Sequence, residues 1–123
     1  MIEKSDDIET AKIIGKWSKS LFQRRITYDE FIRGTKCIQR LSYQDFQSFL
    51  TKADDEIEIH ISNHDLIPIF INEFNFANLL SFNLRTKVIN KNENSRTIDK
   101  YAKQYSITQI GRTIRQEFHY HNL

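Results

Sequence analysis

Few side chains in this chain could carry chemistry at neutral pH. The histidines are His60, His64, His119 and His121, the single cysteine is Cys37, and the densest carboxylate run is Asp54, Asp55, Glu56 and Glu58. Zinc needs three or four converging donors, and one cysteine with scattered histidines does not supply them. His60 and His64 are four apart, but the pattern puts a strand-to-helix junction between them, so no helix face unites them. His64-Asp65 and His119-Tyr120-His121 could form acid–base pairs. However, no Gly-x-Ser-x-Gly elbow, phosphate loop or pair of carboxylates on one helix face accompanies them. Cys37 falls in an amphipathic helical pattern without an assignable basic activator, which reads as packing rather than nucleophile. The acidic run reads as a solvated turn and an exposed strand face. The expectation is a non-enzymatic protein with no cofactor and no metal, one that binds.

Binding chemistry is easier to place. Residues 84–123 hold eight basic side chains (Arg85, Lys87, Lys91, Arg96, Lys100, Lys103, Arg112, Arg115) against Glu93, Asp99 and Glu117, a net of +5. Residues 63–83 carry only Asp65 and Glu73, a net of −2, and the first 62 residues sum to −1, which returns the overall +2. Positive charge concentrated in this way suits phosphate contact, each contact adding a salt-sensitive increment. A solvated hairpin whose charges suppress edge pairing has the same composition.

These residues depend on elements that the spacing predicts. Asp6 stands three before Glu9, Thr27 three before Glu30 and Ser42 three before Asp45, and each pair suits a helix start. Apolar residues then recur at three- and four-residue steps, so helices are predicted over 6–25, 28–40 and 43–53. In the first, Ile8, Ala11, Ile14, Trp17, Leu21 and Phe22 form the stripe. Glu56 to Ser62 alternates strictly, with Ile57, Ile59 and Ile61 on one face of a half-buried strand. Asn63 can cap a short helix running to about Glu73, with Pro68 near its first turn. A second short helix is predicted from Phe76 to Phe82. Strands follow over Leu84–Asn90 and Tyr101–Ile107 around a polar tip, Lys91 to Arg96. Thr108 caps a last helix in which Ile110, Ile114 and Phe118 face the core.

From Ser42 onward this order is that of a winged helix: two short helices as a helix-turn-helix, and the hairpin as the wing. The fold class expected is α+β, mostly α, with a helical extension over 1–41 packed on a winged-helix domain over 42–123. The run Tyr105-Ser106-Ile107-Thr108-Gln109-Ile110-Gly111-Arg112-Thr113-Ile114 resembles the end of winged-helix regulators of the MarR and PadR types. There the second wing strand enters the final helix through a Tyr-x-aliphatic-Thr-x-x-Gly pattern. Gly111 would let the first turn of that helix sit close to the sheet. Arg40-Leu41-Ser42-Tyr43-Gln44-Asp45-Phe46 resembles the junction ahead of the winged helix in some bacterial abortive-infection-type proteins. What the resemblance implies is a DNA-binding regulator, with Arg85, Lys87, Lys91, Arg96 and Lys100 on phosphates and Asn75, Asn78 and Asn83 as the only base readers.

The sequence departs from that pattern, because residues 75–83 contain no Lys or Arg where a recognition helix normally carries them. The second expectation is thus a protein-binding module on the same scaffold, in phage defence or its inhibition, anchored by Phe76 and Phe82. Exposure of either in the isolated protein would favour it. A homodimer through the long first helix suits a palindromic DNA site. The lone cysteine, the acidic N-terminus and the lack of a long apolar run lead to a cytoplasmic expectation. Abundant Ile, Asn and Lys with scarce Ala fit AT-rich coding in a low-GC bacterium, its phage or a mobile element.

Overall fold

A computed structural model describes the backbone of residues 2–62, 66–89 and 97–121 and the side chains of 7–61, 66–82 and 104–121. The chain is mostly helical with a small antiparallel sheet. In order come α1 (Ile2–Phe22), α2 (Tyr28–Gln39), α3 (Tyr43–Thr51), α4 (Asp54–Ile57), β1 (His60–Ser62), α5 (Ile69–Phe76), β2 (Leu80–Ile89), β3 (Thr97–Ile107) and α6 (Gln109–Tyr120).

Local side-chain chemistry sets three of the helix starts. The Thr27 hydroxyl accepts from the Glu30 N–H at 3.1 Å, and the Glu30 carboxylate accepts from the Thr27 N–H at 2.8 Å, a complete capping box for α2. Ser42 accepts from the Asp45 N–H and Thr108 from the Gly111 N–H, both at 3.1 Å, opening α3 and α6. Asp6 does not act in this way, because α1 begins at Ile2 and Asp6 lies inside it.

One core joins the helices to the sheet. Trp17 is fully buried and stacks on Phe31 of α2 and Phe118 of α6, and its Nε1 donates to the Phe31 carbonyl at 3.1 Å. The ring lies over Gly34, where a Cβ would come within 2.7 Å of Trp17 Cε2. Phe46 meets Phe118 edge-on, and Phe49 meets Phe74 in the same way. The buried stripe of α1 is rotated from the expected one: Ile13, Trp17 and Ser20 are inside, whereas Ile8, Ala11 and Phe22 are exposed.

The sheet order is β1-β3-β2, antiparallel throughout, with Ile61 opposite Lys103, Phe82 opposite Tyr105 and Leu80 opposite Ile107. Tyr105, Ile107 and Leu80 are buried on its core face. Gly111 permits a close approach as expected, since a Cβ there would lie 2.8 Å from the Leu79 carbonyl oxygen.

Three expected elements form differently. The strand over Glu56–Ser62 is a helical turn, α4, followed by a strand of only three residues, His60–Ser62. The Glu56 carboxylate accepts from the Ala53 N–H at 2.8 Å and starts the turn. The Glu58 carboxylate accepts from the Ile107 N–H at 3.1 Å, occupying the place beside β3 that a longer strand would have filled. The helix expected from Asn63 to Glu73 begins instead at Ile69 behind Pro68, and Asn63 lies outside the described residues. No helix spans Phe76–Phe82: Phe76 ends α5 and β2 has begun by Leu80. Strand β2 therefore starts earlier than Leu84, and β3 earlier than Tyr101, their hairpin pairing outweighing local helical periodicity.

Candidate interaction surface

Helix α5 presents two unlike faces. Pro68 precedes its first turn, where a missing N–H costs nothing, and the Pro68 carbonyl accepts from the Ile71 N–H at 3.1 Å. Ile71 and Phe74 are fully buried, and Phe70 tilts against Phe74. On the other side Ile69, Asn72 and Phe76, spaced i, i+3, i+7, share one face and are all exposed. Ile69 is 77% and Phe76 67% exposed, and Leu66, just ahead of the helix, is 91% exposed. No Lys or Arg occurs from Leu66 to Leu84, and Glu73 is the one charged residue there. The helix ends because Asn78 takes φ 67, a left-handed conformation that asparagine tolerates. The Leu79 N–H then reaches back to the Phe74 carbonyl at 2.9 Å, closing the end.

The expected base readers are not brought together on one helix. Asn75 is exposed on α5, Asn78 sits in the turn with its carbonyl accepting from the Thr108 hydroxyl at 2.9 Å, and Asn83 lies on β2 opposite Gln104. Phe82 is also on β2 rather than on a helix; it is 43% exposed and tilts against Tyr105 with ring centroids 5.3 Å apart. Arg85 and Lys87 belong to β2 and Lys100 to β3, with Arg85 opposite Ala102. Lys91, Arg96 and His64 lie outside the described residues.

The two arginines of α6 do not add to a free positive surface. Arg112 Nη2 sits 3.1 Å from Glu58 Oε2. Arg115 Nη2 sits 3.0 Å from Asp54 Oδ1, and its guanidinium also donates to the Phe49 and Lys52 carbonyls. The acidic run is accordingly not merely solvated, since Asp54 and Glu58 each hold a cation of the last helix.

Sequence reasoning missed one polar cluster. Glu117 of α6 is buried and takes Arg25 Nε at 2.6 Å and Nη2 at 3.2 Å. The fully buried Ser20 hydroxyl donates to Glu117 Oε1 at 2.8 Å, and His121 Nε2 stands 3.0 Å from Ser20 Oγ. Burial pushes the Glu117 carboxyl up. The hydrogen bonds from Arg25 and Ser20, with the positive charge of Arg25, outweigh that and hold it below its ordinary value. An ionised Glu117 can only accept, so Ser20 spends its one proton there and His121 Nε2 is then the donor to Ser20. Arg25 also covers the Tyr120 ring at 3.4 Å. With Ser20 and Glu117 buried, these groups tie the end of α1 to the end of α6. The signal was present: Glu117 stands next to Phe118 in an otherwise apolar helical stripe.

Cys37 is buried, and that burial raises its thiol pKa against the opposing charge of Arg40. Among the described residues, no group of three or more His, Cys, Asp or Glu could hold a metal ion, and no helix is long and apolar enough to cross a membrane. Comparison with family models, with curated proteins and with solved structures finds no match.

Proposed function

We propose that the chain is a binding module that engages a protein partner through the exposed face of α5. The observation that carries this reading is the exposure of Ile69 and Phe76 on a helix devoid of cations. Each side chain would gain roughly 1.5–3 kcal/mol on full burial, enough to make the pair the energetic centre of an interface. A neutral face gives no electrostatic support for phosphates, which argues against this helix in a major groove. The scaffold we propose is winged-helix-like. Supporting that are the sheet order β1-β3-β2, the position of α5 directly ahead of the β2–β3 hairpin, and the Thr108-capped final helix.

The test is affinity capture from host cells with the intact chain and with an Ile69→Asn/Phe76→Asn variant. Both positions are exposed, so the variant should fold with stability within about 0.5 kcal/mol of the original. A protein retained by the original and lost from the variant is the expected result. Equal retention by the two, or retention of nothing, would sink the reading.

A second reading is favoured by the hairpin charge: Arg85, Lys87, Lys91, Arg96, Lys100 and Lys103 against Glu93 and Asp99. In it the hairpin lies along duplex DNA and contacts phosphates without reading sequence, as part of a regulator. Fluorescence anisotropy with a random duplex at several salt concentrations tests it. Binding that falls linearly in log–log form supports it, and absence of binding at low salt rejects it.

A further inference from the structure

The sheet has two edges, and the chain treats them differently. Strand β1 is only three residues long, and ahead of it the Glu58 carboxylate takes the Ile107 N–H at 3.1 Å. Strand β2 forms the other edge over ten residues, and among the described residues no strand lies beyond it. Native sheets guard long edges with proline, charge or a bulge. From Leu80 to Leu84 β2 reads Leu-Ser-Phe-Asn-Leu, without charge or proline. The first cations are Arg85 and Lys87, and the register shifts only between Thr86 and Val88.

The pairing decides which backbone groups face outward. The Tyr105 N–H goes to the Ile59 carbonyl at 3.0 Å and the Ile107 N–H to Glu58, so both donors point away from β2. Phe82, opposite Tyr105, therefore belongs to a non-hydrogen-bonded pair and turns its own N–H and carbonyl to the outer edge. Leu84 and Thr86 follow by alternation. The Thr108 N–H on the Leu79 carbonyl, at 2.9 Å, fixes the same parity from the start of the strand. Leu80 is only 3% exposed, so the accessible stretch begins at Phe82, which is 43% exposed, and runs to Thr86.

An edge of this kind takes an extended strand, with main-chain hydrogen bonds supplying affinity. We propose that the strand it takes is β2 of a second copy, antiparallel across a twofold axis through Leu84. In that register Phe82, Leu84 and Thr86 meet Thr86, Leu84 and Phe82 of the second copy as hydrogen-bonded pairs. Arg85 then stands opposite Asn83 of the second copy, and Lys87 is carried towards Ser81 of the second copy. No two cations face each other, which matters because like charges directly opposite destabilise a strand pair. An axis through Thr86 would set Arg85 against Lys87 and bring the irregular stretch into the pairing. An axis through Phe82 would require the buried Leu80 to pair. The proposal does not rest on the exposed α5 face, so the Ile69→Asn/Phe76→Asn variant should dimerise like the original.

The test is sedimentation equilibrium of the full chain up to about 1 mM, the weak end of specific association, with amide hydrogen exchange followed by NMR over the same concentrations. A reversible doubling of mass is expected, and protection of the Phe82, Leu84 and Thr86 amides should rise as the dimer forms. The Ser81, Asn83 and Arg85 amides, which face β3, should be protected throughout. Asn83 shares the sheet face of the exposed Ser81, so changing it leaves the core intact. Asn83→Glu sets a carboxylate opposite Arg85 of the second copy and should tighten the dimer about threefold or more, whereas Asn83→Lys should weaken it by as much. A chain that stays monomeric to that limit overturns the proposal. So does a dimer whose edge amides stay unprotected, as one formed through α1 or the α5 face would have. An equal response to the two substitutions would overturn it as well.

Discussion

At the scale of single residues, Gly34 shows how tertiary contact reverses a local rule. Glycine inside a helix is about 1 kcal/mol worse than alanine by propensity, so Gly34→Ala should stabilise α2. The Trp17 ring occupies the space a Cβ needs, and overpacking of a filled core costs about 1–3 kcal/mol. Gly34→Ala is therefore expected to lower stability by about 1–2 kcal/mol in urea unfolding; a gain would show that Trp17 yields. Glu117 gives a pH prediction. Its carboxyl is held below the ordinary value in the folded chain, so near that value the unfolded chain binds more protons and stability rises with pH. The contribution is complete above the unfolded pKa, about 4.3, and is lost as pH falls through the lower folded value. Thermal melts across this acid range should fall less steeply in Glu117→Gln than in the original, and parallel curves would dismiss the idea. Cys37, buried and with its thiol pKa raised, should react with iodoacetamide at neutral pH only through opening of the fold. Modification as fast as in the urea-unfolded chain would contradict its placement.

At the scale of elements, Arg115 does what no local signal reveals. Its guanidinium donates to the Phe49 and Lys52 carbonyls at the end of α3 and reaches Asp54 at the start of α4. A charged donor satisfying two orphan carbonyls is worth about 1.5–3 kcal/mol. Arg115→Ala should destabilise by that amount and Arg115→Lys should recover only part, because an ammonium lacks the planar fork. Loss of amide protection confined to the end of α3 would locate the effect there. The contrast explains which elements were legible in the sequence. The starts of α2, α3 and α6 rest on partners three residues apart, and those could be read directly. The Ile57-Ile59-Ile61 alternation misled because Glu56 starts a helical turn and Glu58 is drawn to β3, both invisible to a period-two pattern. The false helix over Phe76–Phe82 has the same origin. Its periodicity is real, but the left-handed Asn78 stops α5, and pairing with β3, some 25 residues on, claims Leu80 to Phe82.

At the scale of the whole molecule, the distribution of charge matters more than its total. Counting residues put eight cations in the last third of the chain, yet folding matches Arg112 with Glu58 and Arg115 with Asp54. A formal sum cannot show this, since the partners lie more than 50 positions apart in sequence. Asn75, Asn78 and Asn83 were likewise visible as residue types but not as three separate places. The exposure of Phe76 and Phe82 likewise depends on the fold, and no count of residue types gives it. If the hairpin reading holds, the internal pairing has a measurable consequence. Each phosphate contact contributes about −0.9 to the slope of log K against log salt on duplex DNA. In that reading, removing a hairpin cation should flatten the slope by about one contact, whereas removing an arginine already held by a carboxylate should not. Arg85→Ala and Lys100→Ala are expected to flatten it, and Arg112→Ala to leave it unchanged while freeing Glu58. A slope reduced as much by Arg112→Ala as by Arg85→Ala would mean that Glu58 releases its partner on contact with DNA. The binding surface would then extend from the hairpin onto the last helix.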